Sequence, residues 1–118
     1  MEQTYSRESL AILITREGMG HAEPALQHQL IEKYLTLLDE SNMLPDAICL
    51  YAEGVKLAVE GSPVLAQLKS LEAKGVHVIL CSTCLNYFGL SDRVQVGIVG
   101  GMGDIIAAQW HADKVITL

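Results

Sequence analysis

The sequence predicts an α/β fold: a five-stranded, mainly parallel sheet covered by helices on both faces. Three observations lead there. Five short apolar segments recur along the chain, most of them are separated by helical patterns, and glycines cluster where a strand hands over to a helix. Consecutive parallel strands need crossover connections, and helical crossovers cover the sheet they connect.

The first segment, Leu10 to Thr15, is a continuous apolar run of the kind a strand covered on both faces carries, and Gly18 and Gly20 supply the turn after it. From Glu23 to about Glu40 the period lengthens. Leu26, Leu30, Tyr34 and Leu38 recur every four residues, Leu35 and Leu37 widen the stripe, and this face is expected on the sheet. Asn42 and Pro45 end the helix, and Ala47 to Tyr51 reads as the second strand, with Cys49 inside it. Gly61-Ser62-Pro63 reads as a helix start with Ser62 as cap. Val64, Leu68 and Leu71, helped by Leu65, supply the stripe, and Lys74-Gly75 closes it. Val76 to Cys81 is the third strand. Cys84 to Phe88 reads as a short helix stopped by Gly89, and Val94 to Val99 as the fourth strand. Gly100, Gly101 and Gly103 open a helix containing Ile105, Ile106 and Trp110, and Lys114 to Leu118 closes the sheet.

With 118 residues and half of them hydrophobic, the chain is expected to build one domain, residues 1–118, with a substantial core. A net charge of −6 with only 8 Lys plus Arg offers no broad cationic surface, so neither nucleic acid nor an anionic membrane is an expected partner. Met1 to Ser6 shows no basic region leading into an apolar core, and no apolar run reaches the roughly 18 residues of a membrane span. A soluble, cytoplasmic protein is expected. Three cysteines form an odd, sparse set, so reduced thiols are the default.

Cys81-Ser-Thr-Cys84 carries the chemistry. It follows a strand directly, and the carboxyl ends of strands are where open α/β sheets build reactive sites. Cys81 is the candidate nucleophile, because unpaired backbone N–H groups at a strand-to-helix junction enlarge the thiolate fraction. A thiolate carrier would attack a donor persulfide, keep the outer sulfur, and pass it to an acceptor thiol. Cys84 either resolves such a species or packs under the loop, and Cys81 is either the carrier or a small buried hydrophobe. Cys49, mid-strand, reads as core. Lys56 is the nearest cation for sulfur charge, with Glu53 to orient it. Tyr87 and Phe88 either shield the sulfur or anchor the loop, and Trp110 is expected to pack.

No metal and no cofactor are expected. Structural zinc wants four Cys or His ligands, only two lie close in sequence, and no spacing brings His21, His77 and His111 together. His21 in the first loop reads as an acid-base candidate or a solvated side chain. Gly18-Met-Gly20 lacks both the dinucleotide and the P-loop patterns, and Asp104 after the later glycines would oppose a phosphate while serving well as a cap.

Glu53-Gly-Val-Lys-Leu57 and the block Gly75 to Leu90 together resemble the DsrE-like sulfurtransferase superfamily, most closely the DsrE-like domain of YedF-type proteins linked to selenium metabolism. The likeness runs from about Leu10 to Leu118, and Cys81 to Leu90 is its most specific part. It implies a three-layer α/β/α domain, homo-oligomers, and a sulfur-relay cysteine after the third strand, which is Cys81 here, accompanied by Cys84. Many such proteins carry a sulfur-carrier domain ahead of this one. The chain shows none, which implies either a separately encoded sulfur-carrier partner or loss of the complete relay function. Gly100 to Gly103 departs from the more polar loop of relatives. The residues and the resemblance give one leading expectation, sulfur or selenium handling through a cysteine persulfide relay. The alternative is a non-catalytic oligomeric binding protein with structural cysteines.

Overall fold

The computed structural model describes residues 9–118. The amino-terminal stretch read above as lacking a leader lies outside the described residues. In chain order the elements are β1 (Leu10–Ile14), α1 (Pro24–Glu40), β2 (Ala47–Leu50), a 3-10 segment (Ala52–Ala58), α2 (Leu65–Ala73), β3 (His77–Cys81), α3 (Ser82–Phe88), β4 (Ile98–Gly100), α4 (Met102–His111) and β5 (Lys114–Thr117).

The five strands form one sheet in the order β4-β3-β2-β1-β5, and every pairing is parallel. Side chains alternate across it. Ala11, Leu13, Ala47, Cys49 and Ile79 share the face on which α4 lies. Ile12, Ile14, Ile48, Leu50, Val78 and Leu80 share the other, where α1 packs on α2. This is the three-layer α/β/α arrangement. The second face holds the densest apolar core, because Ile12, Ile14, Ile48, Leu50 and Leu80 are all fully buried with Ile31, Leu35, Leu68 and Leu71.

Four local expectations are corrected. The buried positions of α1 are Ile31 and Leu35, with Tyr34 and Leu38 beside them. Leu26, Leu30 and Leu37 lie outward, because α1 carries leucines on more than one face and only one can meet the sheet. Helix α2 starts at Leu65 without a side-chain cap. Ser62 Oγ instead accepts the Val64 N–H at 3.1 Å, tightening the turn ahead of the helix. The fourth strand is only Ile98–Gly100. Val94 makes one antiparallel bridge with Val59, and Gly97 turns the chain into the sheet at φ 88°, where a Cβ would lie 2.9 Å from the Val78 carbonyl oxygen. Trp110 does not pack: it is 82% exposed, on the outer side of α4 with Met102 and Ile106, while Ile105 takes the buried side. Among the described residues no helix is long and apolar enough to cross a membrane.

Candidate functional site

Parallel pairing brings the carboxyl ends of β1, β2 and β3 to one edge, and the two cysteines sit there. Strand β3 runs straight into α3. Cys81 is therefore at once the last strand residue and the N-cap of the helix, and Cys84 is its third helical position. The first N–H groups of any helix lack partners within it. Here those of Thr83 and Cys84, the second and third helical positions, stand at the α3 amino end that Cys81 caps, and polar groups of both residues favour its thiolate. Gly89, in the left-handed region at φ 68°, closes α3 after two turns, and Leu85 anchors it in the core.

The thiols are unequal. Burial by itself raises the Cys81 pKa, but the hydrogen bonds from Cys84 and Thr83 outweigh it and hold the thiol below its ordinary value. Cys84 moves the other way. Burial raises it, the charge and hydrogen bond of Cys81 raise it further, and the Ala52 N–H draws it back in part. Of the two thiols, Cys81 is therefore the first to give up its proton. Access has the opposite order, since Cys81 is 1% exposed while Cys84 is partly open. Cys49 is buried among apolar side chains, which push its thiol up to about 11, so it stays a neutral core residue.

A backbone donor completes the site. The Ala52 N–H lies 3.1 Å from Cys84 Sγ. Ala52 has φ 52°, a conformation that costs a non-glycine residue about 1 kcal/mol or more, and neighbours hold it there. Tyr51 N–H donates to the Ile14 carbonyl at 3.2 Å, Gly54 N–H donates to the Tyr51 carbonyl at 2.9 Å, and Gly54 sits so close to the end of β1 that a Cβ would overlap the Ile14 carbonyl oxygen. Neither Ala52 nor Thr83 stood out in the sequence, because each contributes a backbone N–H whose direction depends on the fold. Gly54, a glycine two residues after Ala52, is the one sequence mark of this loop.

The other residues singled out from sequence fall nearby or elsewhere. Lys56, in the 3-10 segment, sits over Phe88, one turn of α3 beyond Cys84. Its ammonium pairs with Glu53 at 3.2 Å and lies 4.5 Å from the centre of the Phe88 ring, above a crevice of about 290 Å³ shared with Glu17, Glu60, Ser62 and Leu90. Tyr87 meets Phe88 edge to face but is 84% exposed and points away from the core. His21 lies in the loop after β1, hydrogen-bonded to Arg16 at 2.7 Å. His77 and His111 line a groove of about 400 Å³ under α4, at the opposite end of the sheet from the cysteines. Among the described residues no group of three or more Cys, His, Asp or Glu is arranged to hold a metal ion. The Gly100-Gly101 turn is already occupied by the Asp104 carboxylate, which accepts the Gly101 N–H at 2.9 Å.

The DsrE/DsrF-like family model matches residues 9–118. The chain belongs to the DsrE/DsrF-like family. No curated protein sequence matches it. Solved structures share the fold at low identity. The ychN protein from E. coli is 22% identical, with a TM-score of 0.67 over 93% of this chain and 99% of that one. A conserved protein of unknown function from Bacteroides thetaiotaomicron is 17% identical, with a TM-score of 0.68 over 94% of this chain and 95% of its own. A protein of unknown function from Methanobacterium thermoautotrophicum is 19% identical, with a TM-score of 0.65 over 94% and 99%. The family is generally linked to sulfur relay.

Proposed function

We propose that this DsrE-like domain handles sulfane sulfur through the Cys81/Cys84 pair, with Cys81 as the sulfur that holds it. The observation that carries this reading is the place of Cys81 at the carboxyl end of β3 and the N-cap of α3, with Cys84 in the first turn beside it. A thiolate of the pair attacks the outer sulfur of a donor persulfide R–S–SH. A cysteine–sulfur bond forms, the donor S–S bond breaks, and R–S⁻ leaves, so charge and atoms are conserved, and the sulfur comes to rest on Cys81. Handing the outer sulfur to an acceptor thiolate is the same reaction reversed. Selenium, the heavier congener, fits the same sequence of bonds, and the Cys81 to Leu90 block is what favours a YedF-type assignment.

The chemistry needs reduced thiols, which suits a cytoplasmic setting and a separate sulfur-carrier protein as donor or acceptor. Met102, Ile106 and Trp110 form an exposed stripe at four-residue spacing on α4, beside exposed Ile98 and Val99 of the edge strand β4, and these favour assembly with further copies of the chain. The burial of Cys81 is what favours the second reading, an oligomeric binding protein whose cysteines only pack.

Incubation with a persulfide donor followed by intact-mass measurement separates the two. Wild type is expected to gain about 32 Da per sulfur, removable by dithiothreitol, and the C81S/C84S double variant to gain nothing. Equal gain in both, or none in wild type, would favour the binding protein.

A further inference from the structure

The pair is ordered with its activated sulfur inside and its accessible sulfur outside, and that order has consequences for how cargo gets in. Cys81, the N-cap of α3, is 1% exposed, whereas Cys84 is partly open and receives the Ala52 N–H at 3.1 Å. A donor as large as a peptide or a protein persulfide must bring its outer sulfur in line with the attacking thiolate. At Cys81 the route is closed, because its side chain is buried in the core. Resting on the sulfur-handling reading, we propose that Cys84 is the port and Cys81 the store: sulfane sulfur arrives on Cys84 and is then passed inward to Cys81.

Each step balances. The Cys84 proton passes to the thiolate of Cys81, its neighbour in the first turn of α3. The Cys84 thiolate, held by the Ala52 N–H, attacks the outer sulfur of R–S–SH. Cys84–S–SH forms and R–S⁻ leaves, taking up the proton from Cys81. The Cys81 thiolate then attacks the outer sulfur of Cys84–S–SH, giving Cys81–S–SH and a Cys84 thiolate with the Ala52 donor still in place. No electrons are gained or lost overall, and no further reactant is needed. Storage at Cys81 places the reactive sulfur where water and stray thiols reach it least, and delivery runs the two steps backwards through Cys84.

The short distance from Ala52 to Cys84 is what distinguishes a port from a thiol that merely packs. The Ala52 loop is held in a left-handed conformation by the Ile14 carbonyl and by Gly54, and the product of that constraint is a donor directed at Cys84 sulfur. A transient Cys84 thiolate is the species such a donor stabilises.

The test is a time course of loading with glutathione persulfide on wild type, C81S and C84S, with the sulfur located by peptide mapping. Wild type is expected to show the label on Cys84 first and on Cys81 later. C81S is expected to retain it on Cys84, and C84S to load Cys81 slower by about tenfold or more, since exchange rates follow access as well as thiolate fraction. Serine at position 84 keeps an acceptor for the Ala52 N–H while removing the nucleophile. Loading of Cys81 in C84S at the wild-type rate would overturn the port, and a Cys81–Cys84 disulfide in place of the Cys81 persulfide would overturn the store. No uptake by wild type would instead remove the sulfur-handling reading beneath both. Should C84S fail to fold, a bulky maleimide on reduced wild type decides: labelling of Cys84 ahead of Cys81 supports the port, and the reverse order overturns it.

Discussion

Gly54→Ala probes the loop that places the Ala52 donor. The added methyl would overlap the Ile14 carbonyl oxygen and lie 2.8 Å from the Ile14 carbonyl carbon and 3.3 Å from the Thr15 nitrogen. All three atoms are backbone, so no side chain can swing aside. Relief requires the 3-10 segment to move off the end of β1. Overpacking of this kind costs about 1–3 kcal/mol, and parting Tyr51 N–H from the Ile14 carbonyl adds roughly 0.5–1.5 kcal/mol. A loss of about 1.5–4.5 kcal/mol is therefore expected, read as a lower urea midpoint at unchanged slope. The same movement withdraws the Ala52 N–H from Cys84, so the Cys84 thiol should titrate higher still and alkylate more slowly at neutral pH. A loss below about 0.5 kcal/mol, the range of an ordinary surface change, together with unaltered Cys84 alkylation would refute the claim that Gly54 fixes this loop.

Three further outcomes are expected. Thiolate absorbance in the ultraviolet should rise in steps with pH: Cys81 below its ordinary 9.0, Cys84 above 9.0, and Cys49 near 11, with the first step missing in C81S; a lowest step that survives in C81S would contradict the assignment. Asp39 clasps α1 to α2 through Lys74 at 2.9 Å and Ser70 at 3.0 Å, and these partners hold its carboxyl below its ordinary 3.8. Its contribution to stability is therefore complete above that value and lost as pH falls through the lower folded-state one, so D39N should be slightly less stable at neutral pH and lose less on acidification, by thermal melts across pH. Replacing Ile106 and Trp110 together by glutamate should shift any assembly to smaller species in analytical ultracentrifugation while leaving the monomer's circular dichroism unchanged. An unaltered assembly would remove the α4 stripe from the interface.

Periodicity carried most of the fold because parallel strands covered on both faces must be short, apolar and separated by crossovers. Leu10–Ile14, Ala47–Leu50 and His77–Cys81 satisfy that pattern with little room for another reading. It failed where apolar residues do not face the core. Leu26 and Leu30 extend a helical stripe in sequence but look outward, and Val94 continues a β-rich run that Gly97 breaks before it reaches the sheet. Trp110 was misplaced for the same reason: size and hydrophobicity point inward only when the neighbouring surface is not itself turned outward. At the site, the position of Cys81 at a strand end was legible, since a thiol directly after an apolar run has one place to go. The inversion of access between Cys81 and Cys84 was not. It depends on how α3 closes over its own N-cap, and on an Ala52 N–H whose direction follows from a left-handed φ imposed by contact with β1.

The most direct measurement is fragmentation mass spectrometry of wild-type protein loaded with a persulfide donor and then exposed to an acceptor thiol. The added sulfur, about 32 Da, should reside on Cys81 at equilibrium and leave when the acceptor is added. Sulfur found on Cys49, or retained on Cys81 against excess acceptor, would contradict a relay through this pair.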